Sequence, residues 1–166
     1  MKLLFIRHGD PDYTIDSLTE KGWKEAEFLS EKIAALDVRD FYVSPLGRAQ
    51  RTALPSLKAA GCKAETVEWL QEFPAKLDVN KAPELAEAYP DIEKEGETYR
   101  PRIVWDMAPG YLTEHEEYMD KINWRHSLVA KCSDMEDVYD KVTKEFDTLL
   151  AKHGYVRENG YYRVEK

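Results

Sequence analysis

The chain has 166 residues, which is enough for one domain with a single hydrophobic core and too few for two domains of ordinary size. Its net charge of −8 argues against binding to nucleic acid or to an anionic membrane, because both need basic patches, but it leaves room for a small anionic substrate in a locally positive pocket. The two cysteines, Cys62 and Cys132, are far apart, and no apolar run approaches the roughly 20 residues of a membrane span, so we expect a cytoplasmic protein without a disulfide or a zinc site.

The first half of the chain predicts alternating strands and helices. Compact apolar runs indicate the strands, and apolar residues that recur at steps of three and four indicate the helices. Expected in chain order are a buried strand over residues 2–7, a helix over 19–36, a strand over 41–43, a helix over 46–60 and a strand over 65–70. Gly61 is the expected C-terminal cap of the second helix, which Pro55 should kink or split.

This order of elements requires crossover connections, so we expect an α/β fold with a mainly parallel sheet and helices on its faces. Ligand sites in such folds lie outside the carboxyl ends of the strands. Three groups of polar residues follow the predicted strand ends: Arg7-His8-Gly9, the stretch from Ser44 to Arg48, and Glu72. We therefore expect the functional site at this edge of the sheet.

The remainder of the chain predicts a long insertion, a helix and a hairpin, which belong with the first half to a single α/β domain over residues 1–166. Residues 73–131 are rich in Pro, Glu, Tyr and Trp, and we expect them to form an ordered cap over the site rather than a disordered excursion. A capping box, Ser133-Asp134-Met135-Glu136, should begin a helix that ends at His153-Gly154. A two-residue turn at Asn159-Gly160 then predicts a β-hairpin.

The motif Arg7-His8-Gly9 suits phosphoryl transfer. A neutral imidazole nitrogen of His8 can attack phosphorus while guanidinium groups hold the phosphoryl oxygens, and Gly9 allows the backbone to turn tightly beside a ligand. A polar loop histidine without chemistry is the alternative. His8, Asp10 and Asp12 also alternate as metal ligands can, but alternate residues in a proline-containing loop seldom converge on one ion, so we expect no metal.

The stretch from Ser44 to Thr52 joins a predicted strand to the start of a helix. Free backbone N–H groups and the helix dipole attract anions there, and Arg48, in the first helical turn, can reach a bound phosphate. A solvated arginine at a helix start is the alternative for Arg48 taken alone. The combination of this stretch with the histidine loop before it favours a phosphate site.

The two motifs together resemble the histidine phosphatase (phosphoglycerate mutase-like) superfamily, whose members carry Arg-His-Gly after the first strand and Ser-x-x-x-Arg-Ala-x-x-Thr at the next helix start. Leu18-Thr19-x-x-Gly22 and Ala26 also match the family's pattern, and Glu72 stands where the family places a proton-transferring carboxylate. The resemblance covers residues 1–72 well, residues 73–131 hardly at all and the end of the chain loosely. It implies a three-layer sandwich, with helices flanking a mainly parallel sheet.

The resemblance also implies a role for each site residue. His8 would attack phosphorus in line and become phosphohistidine, while Arg7 and Arg48 would bind the phosphoryl oxygens. Glu72 would protonate the leaving oxygen and later take a proton from water; the alternative is a solvated glutamate. The rest of the implied phosphate site consists of Gly9, Thr14 and Ser44. No metal or cofactor is needed, because the arginines offset the phosphate charge.

The sequence departs from the family directly after the histidine motif. Many members continue with Glu-Thr-x-x-Asn, whereas this chain has Asp10-Pro11-Asp12-Tyr13-Thr14, so Thr14 takes the position of a phosphate-binding asparagine. This difference favours hydrolysis of a small phosphomonoester. Phosphoglycerate mutase activity is the alternative.

A second departure concerns histidine. The family needs a second active-site histidine after a late strand, and none of His115, His126 and His153 has that context in the sequence. We therefore expect that the chain is incomplete at its C-terminus and lacks the strand with this histidine, or that a second copy supplies the strand by exchange in a homodimer. A member that only binds a phosphorylated ligand or partner is a further alternative. We expect a small phosphorylated substrate as the ligand, and no nucleic-acid or membrane partner.

Overall fold

A computed structural model of the chain describes residues 1–164. The chain divides into two units, Met1–Gln71 and Glu72–Lys166. The first unit contains, in chain order, β1 (Pro11–Asp12), β2 (Ser17–Leu18), α1 (Glu20–Ala34), β3 (Tyr42–Val43), α2 (Gly47–Ala60), β4 (Glu65–Thr66) and a 3₁₀ helix at Glu68–Leu70. None of the helices described combines the length and the apolar character that crossing a lipid bilayer takes.

Both predicted helices of the first unit are confirmed, and local caps define their ends. Thr19 precedes α1, and its hydroxyl oxygen accepts a hydrogen bond from the Gly22 amide (3.1 Å). α2 ends before Gly61, whose φ of 64° is the left-handed conformation that favours glycine. Pro55 does not split α2, which continues through it to Ala60. The two helices pack against each other.

The strand predicted over residues 2–7 is not formed, and that prediction was wrong. The segment has no regular structure, and its apolar side chains are exposed, that of Phe5 by 75%. A strand needs a neighbour for its backbone hydrogen bonds, and within residues 1–164 no strand pairs with this segment. An apolar run predicts burial, but it does not identify the partner that burial needs.

The parallel pair expected from the alternating order is formed by β3 and β4. Tyr42 pairs with Glu65 and Val43 with Thr66, so α2 is the crossover connection between them. The third predicted strand is shorter than expected, because the chain turns into the 3₁₀ helix Glu68–Leu70. Every strand pairing within residues 1–164 belongs to a two-stranded sheet, and only β3–β4 is parallel. The α/β class is therefore confirmed, whereas a single parallel sheet is not formed by these residues.

The second unit consists mostly of short elements that precede one long helix and a hairpin. Its strands and α-helices are β5 (Lys76–Leu77), β6 (Lys94–Glu95), β7 (Thr98–Tyr99), β8 (Arg102–Ile103), α3 (Pro109–Thr113), α4 (Leu128–Lys131), α5 (Met135–Lys152), β9 (Tyr155–Glu158) and β10 (Tyr161–Val164). Its 3₁₀ helices are Val79–Lys81, Pro83–Ala88, Val104–Asp106, Glu116–Tyr118 and Asn123–His126. β5 pairs with β8, β6 with β7 and β9 with β10, all antiparallel.

Residues 73–131 contain short helices and strands that pack around a hydrophobic core. Their core surrounds the fully buried side chains of Leu77, Leu85 and Tyr89. The Tyr89 hydroxyl donates to the carbonyl oxygen of Ile103 (3.1 Å), and burial raises its pKa to about 12. The expected location of this segment over the active site stays a prediction.

The predicted helix and hairpin that follow are confirmed, except for the capping box. His153 is the C-terminal cap of α5, and Asn159 adopts a φ of 56° in the two-residue turn between β9 and β10. Glu136 does not complete a capping box with Ser133. Its carboxylate instead accepts a hydrogen bond from the guanidinium of Arg125 (2.7 Å), a charged donor that competes successfully for it.

Candidate active site

The candidate nucleophile His8 lies in the loop between residues 2–7 and β1. Its ring is half-buried, and Nδ1 lies 2.8 Å from the carbonyl oxygen of Gly9. A carbonyl oxygen can only accept a hydrogen bond, so Nδ1 carries the proton in this contact. In a neutral imidazole the proton on Nδ1 leaves a lone pair on Nε2. In this tautomer, Nε2 is therefore the ring nitrogen of His8 with an available lone pair.

The histidine loop is anchored to α2 through Thr52. The amide of Gly9 donates to the hydroxyl oxygen of Thr52 (3.0 Å), and the Thr52 hydroxyl donates in turn to the carbonyl oxygen of Arg48 (2.8 Å). Thr52 is buried, so its bond to Arg48 is shielded from water, and its bond to Gly9 is partly shielded. The structure thus connects the two motifs that the sequence singles out.

The histidine loop also lies directly on the first turn of α1. A Cβ atom on Gly9 would lie 2.8 Å from the carbonyl oxygen of Gly22, and one on Gly22 would lie 2.2 Å from that of Asp10. Both distances are too short for a real contact, so this approach requires glycine at both positions. The Asp10 amide donates to the Glu25 carboxylate (2.8 Å), and the Thr19 amide donates to the Asp10 carbonyl oxygen (3.0 Å).

The carboxylates of Asp10 and Asp12, near His8 in the sequence, accept hydrogen bonds from nearby threonines. Asp10 accepts a hydrogen bond from the Thr19 hydroxyl (2.6 Å), and Asp12 accepts from both the hydroxyl (2.5 Å) and the amide (3.0 Å) of Thr14. The hydroxyl bond, and after it the amide bond, hold the pKa of Asp12 below its usual value. Across residues 1–164, no three His, Cys, Asp or Glu side chains form a cluster that could hold a metal ion.

Arg48 is buried at the start of α2, so it is not a solvated surface arginine. Only 8% of the residue is exposed, and its Nη1 donates to Oδ1 of Asp16 (2.9 Å). Asp16 also accepts from the amides of Gly47 (2.5 Å) and Arg48 (3.3 Å). These donors, the Gly47 amide foremost, hold the pKa of Asp16 below its usual value. The ring of Tyr13 lies beside the guanidinium, 5.4 Å from Cζ to ring centroid.

The other predicted phosphate-binding residues have local contacts. Ser44 is buried; its hydroxyl oxygen accepts from the Leu46 amide (3.3 Å), and its carbonyl oxygen accepts from the Gln50 side chain (2.7 Å). Ser44 therefore shapes the turn into α2. Thr14 is exposed and bonds to its own loop, and Arg7 is exposed. Binding of phosphate by these three residues stays a prediction.

Glu72 and the remaining histidines belong to the second unit. Glu72 is its first residue and has an exposed side chain, and its role in proton transfer stays a prediction. His115 lies with Nδ1 2.6 Å from the Tyr111 carbonyl oxygen, His126 ends a 3₁₀ helix and His153 caps α5. None of these three histidines follows a strand.

The sequence patterns reveal neither Asp16 nor the bridging role of Thr52. Asp16 precedes Gly47 by 31 residues, and such a contact leaves no periodic signal. One indirect sequence feature indicates that a residue such as Asp16 is needed. Leu46, at the N-cap position of α2, has no side-chain oxygen, so the first amides of this helix need an acceptor from elsewhere in the chain.

Comparison with known proteins decides the family. The chain matches the model of the histidine phosphatase superfamily (branch 1) over residues 3–156. It belongs to this superfamily. The match includes residues 73–131 and so extends well beyond the motifs of residues 1–72, to which the resemblance in the sequence is mostly limited.

Two relatives within the superfamily are named as mutases. The chain is 25% identical to the "probable phosphoglycerate mutase GpmB" of Cronobacter sakazakii, over 81% of this chain and 64% of the relative. It is 40% identical to the "2,3-bisphosphoglycerate-dependent phosphoglycerate mutase" of Thermoplasma acidophilum over 30% of each chain. The chain thus spans less than two thirds of the length of either relative.

Proposed function

We propose that this histidine phosphatase superfamily member transfers phosphoryl groups through a phosphohistidine on His8, and that it hydrolyses a small phosphomonoester without a metal. The observation that carries the proposal is the connection of the His8 loop to α2 through Gly9, Thr52 and the buried Arg48. Because these hydrogen bonds join the two motifs, they support the proposal that His8 attacks phosphorus while Arg48 binds the same phosphoryl group. Preorganised charge of this kind accounts for most of the catalysis in phosphoryl transfer.

The proposed reaction has two steps. In the first, Nε2 of His8 forms a bond to phosphorus as the ester P–O bond breaks, and Glu72 gives its proton to the leaving oxygen. In the second, Glu72 takes a proton from water, which attacks phosphorus, breaks the P–N bond and releases inorganic phosphate. Arg48, together with Arg7, offsets the charge on the phosphoryl oxygens in both steps.

Mutase activity is the second candidate, and the names of the two relatives favour it. A mutase returns the phosphoryl group to the substrate instead of water. The loop after Gly9 favours hydrolysis, because the side chain at the position of the family's asparagine is a threonine whose hydroxyl is bonded to Asp12 (2.5 Å). A protein that binds phosphorylated ligands without turnover is the third candidate.

Membership of the superfamily also supports a three-layer α/β sandwich. In such a sandwich, the apolar side chains of residues 3–6, which are exposed here, would pack beside a neighbouring strand. A strand exchanged between two copies in a homodimer is one source of that neighbour.

The three candidate functions are separated by one set of assays. Release of inorganic phosphate from p-nitrophenyl phosphate, interconversion of 2- and 3-phosphoglycerate, and binding of inorganic phosphate are measured for the wild type, for His8→Ala and for the control His126→Ala. Phosphate release that is lost only in His8→Ala supports hydrolysis. Interconversion without net phosphate release assigns a mutase, and phosphate binding without either reaction assigns the binding protein.

A further inference from the structure

Asp16 connects the turn between β1 and β2 to the start of α2. Its carboxylate accepts from two amides and from the Arg48 guanidinium, and its carbonyl oxygen accepts from Nη1 of Arg51 (3.2 Å). The backbone of Asp16 has a φ of 45°. A Cβ atom on Gly47 would lie 2.2 Å from the Asp16 carbonyl oxygen, so the turn lies against α2 at van der Waals distance. The turn between β1 and β2 therefore contacts the start of α2 through both its backbone and a charged side chain.

Arg48 and Asp16 differ in how deeply their side chains are buried. The Arg48 side chain is 10% exposed, whereas that of Asp16 is 43% exposed. A buried cation is costly unless it is paired, and an arginine side chain has many rotamers. The bond to Asp16 therefore both offsets the charge of Arg48 and selects one conformation of its long side chain.

We propose that Asp16 is a positioning residue for phosphate binding, because it holds the Arg48 guanidinium in the orientation that receives the phosphoryl group; this inference rests on the proposed function, in which Arg48 binds phosphate. A guanidinium has five N–H donors in a planar fork, so bonds to Asp16 and to phosphate are compatible. If the Asp16 carboxylate instead competed with phosphate for Arg48, removing its charge should strengthen phosphate binding.

The test compares Asp16→Asn with Asp37→Asn. Asparagine at position 16 keeps an oxygen for the Gly47 amide but loses the charge that faces Arg48. Asp37 is the control, because its side chain is 89% exposed and its carboxylate pairs with Arg39 at the surface (3.7 Å). We expect Asp16→Asn to weaken inhibition by inorganic phosphate and to lower kcat/KM for p-nitrophenyl phosphate, each about tenfold. The control should change neither by more than about twofold.

A double-mutant cycle separates positioning from a general loss of structure. In the Arg48→Lys background, which lacks the planar fork, the further effect of Asp16→Asn should shrink to about twofold. Unchanged phosphate inhibition in Asp16→Asn, or tighter inhibition, would overturn the inference, and the tighter result would identify Asp16 as a competitor. Loss of the folded state in Asp16→Asn would also overturn it, by assigning Asp16 to the stability of α2.

Failure of the proposed function gives a different result. A wild type that neither releases phosphate from p-nitrophenyl phosphate nor binds inorganic phosphate overturns both proposals. An active wild type with an equally active Asp16→Asn variant overturns only the positioning role.

Discussion

The amide of Gly9 and the hydroxyl of Thr52 are hydrogen-bonded across 43 residues of sequence, with 3.0 Å between N and Oγ1. This bond connects the loop of His8 to the helix of Arg48. Because Thr52 lies in α2, we expect a displacement of this helix to move the backbone beside His8. The bond is a specific point at which the proposed site can be tested.

Replacing Thr52 by valine should affect both stability and turnover. The Gly9 amide loses its acceptor, which should lower the free energy of unfolding by about 1–3 kcal/mol. The His8 loop then loses its anchor, so kcat/KM should fall while Thr52→Ser, which keeps the hydroxyl, stays near the wild type. Urea unfolding and steady-state kinetics measure the two effects. A Thr52→Val protein as active as Thr52→Ser would show that the bond does not position the nucleophile.

Replacing Gly22 by alanine should displace the histidine loop. Alanine normally stabilises a helix relative to glycine, by up to about 1 kcal/mol, but a Cβ atom at position 22 would lie 2.2 Å from the Asp10 carbonyl oxygen. We expect a net destabilisation of about 1–3 kcal/mol. Gly110→Ala is the matched control, because its Cβ would meet only the Glu114 side chain, at 3.5 Å. Equal thermal stability of the two variants would contradict the close packing at Gly22.

Arg48 should be more sensitive to alanine than to lysine. Loss of a donor that stabilises the transition state typically costs about 100-fold in rate, and we expect at least this for Arg48→Ala. Lysine keeps the charge but not the two-pronged geometry, so Arg48→Lys should recover part of the activity. Arg39→Ala, at a side chain that is 82% exposed, is the control. Wild-type kinetics in Arg48→Ala would remove this residue from the phosphate site.

The effect of replacing Glu72 on the rate of hydrolysis should depend on the leaving group of the substrate. If it is the general acid, Glu72→Gln should slow hydrolysis of an alkyl phosphate by about 100-fold or more. The same change should have little effect on p-nitrophenyl phosphate, whose leaving group needs little protonation. Glu68→Gln, in the preceding 3₁₀ helix, is the control. Equal losses on the two substrates would assign Glu72 to binding or structure.

The parts of the fold that the sequence predicts are those with local interactions. The hydrogen bonds of α1 and α2 lie within each helix, and the caps at Thr19 and Gly61 are adjacent to the ends that they stabilise. The prediction over residues 2–7 was wrong because a strand depends on a partner elsewhere in the chain.

In the candidate site, too, the sequence predicts the features of local segments but not the contacts between distant residues. Sequence motifs identify His8 and Arg48, because the chemistry requires those residue types in a loop and at a helix start. The contacts of Thr52 with Gly9 and of Asp16 with Arg48 join residues 43 and 32 positions apart. No period or local pattern records such contacts. They become visible only when the backbone brings the loop and the helix together.

The central claim, a covalent phosphohistidine, is tested most directly by trapping the phosphoenzyme. The protein is mixed rapidly with a labelled phosphomonoester and quenched in base, and the peptide that contains His8 is mapped by mass spectrometry. We predict one phosphoryl group on His8 that is stable in base and lost in acid, is absent from His8→Ala and is retained in His126→Ala. Label on a serine or an aspartate, or a fully active His8→Ala variant, would contradict the mechanism.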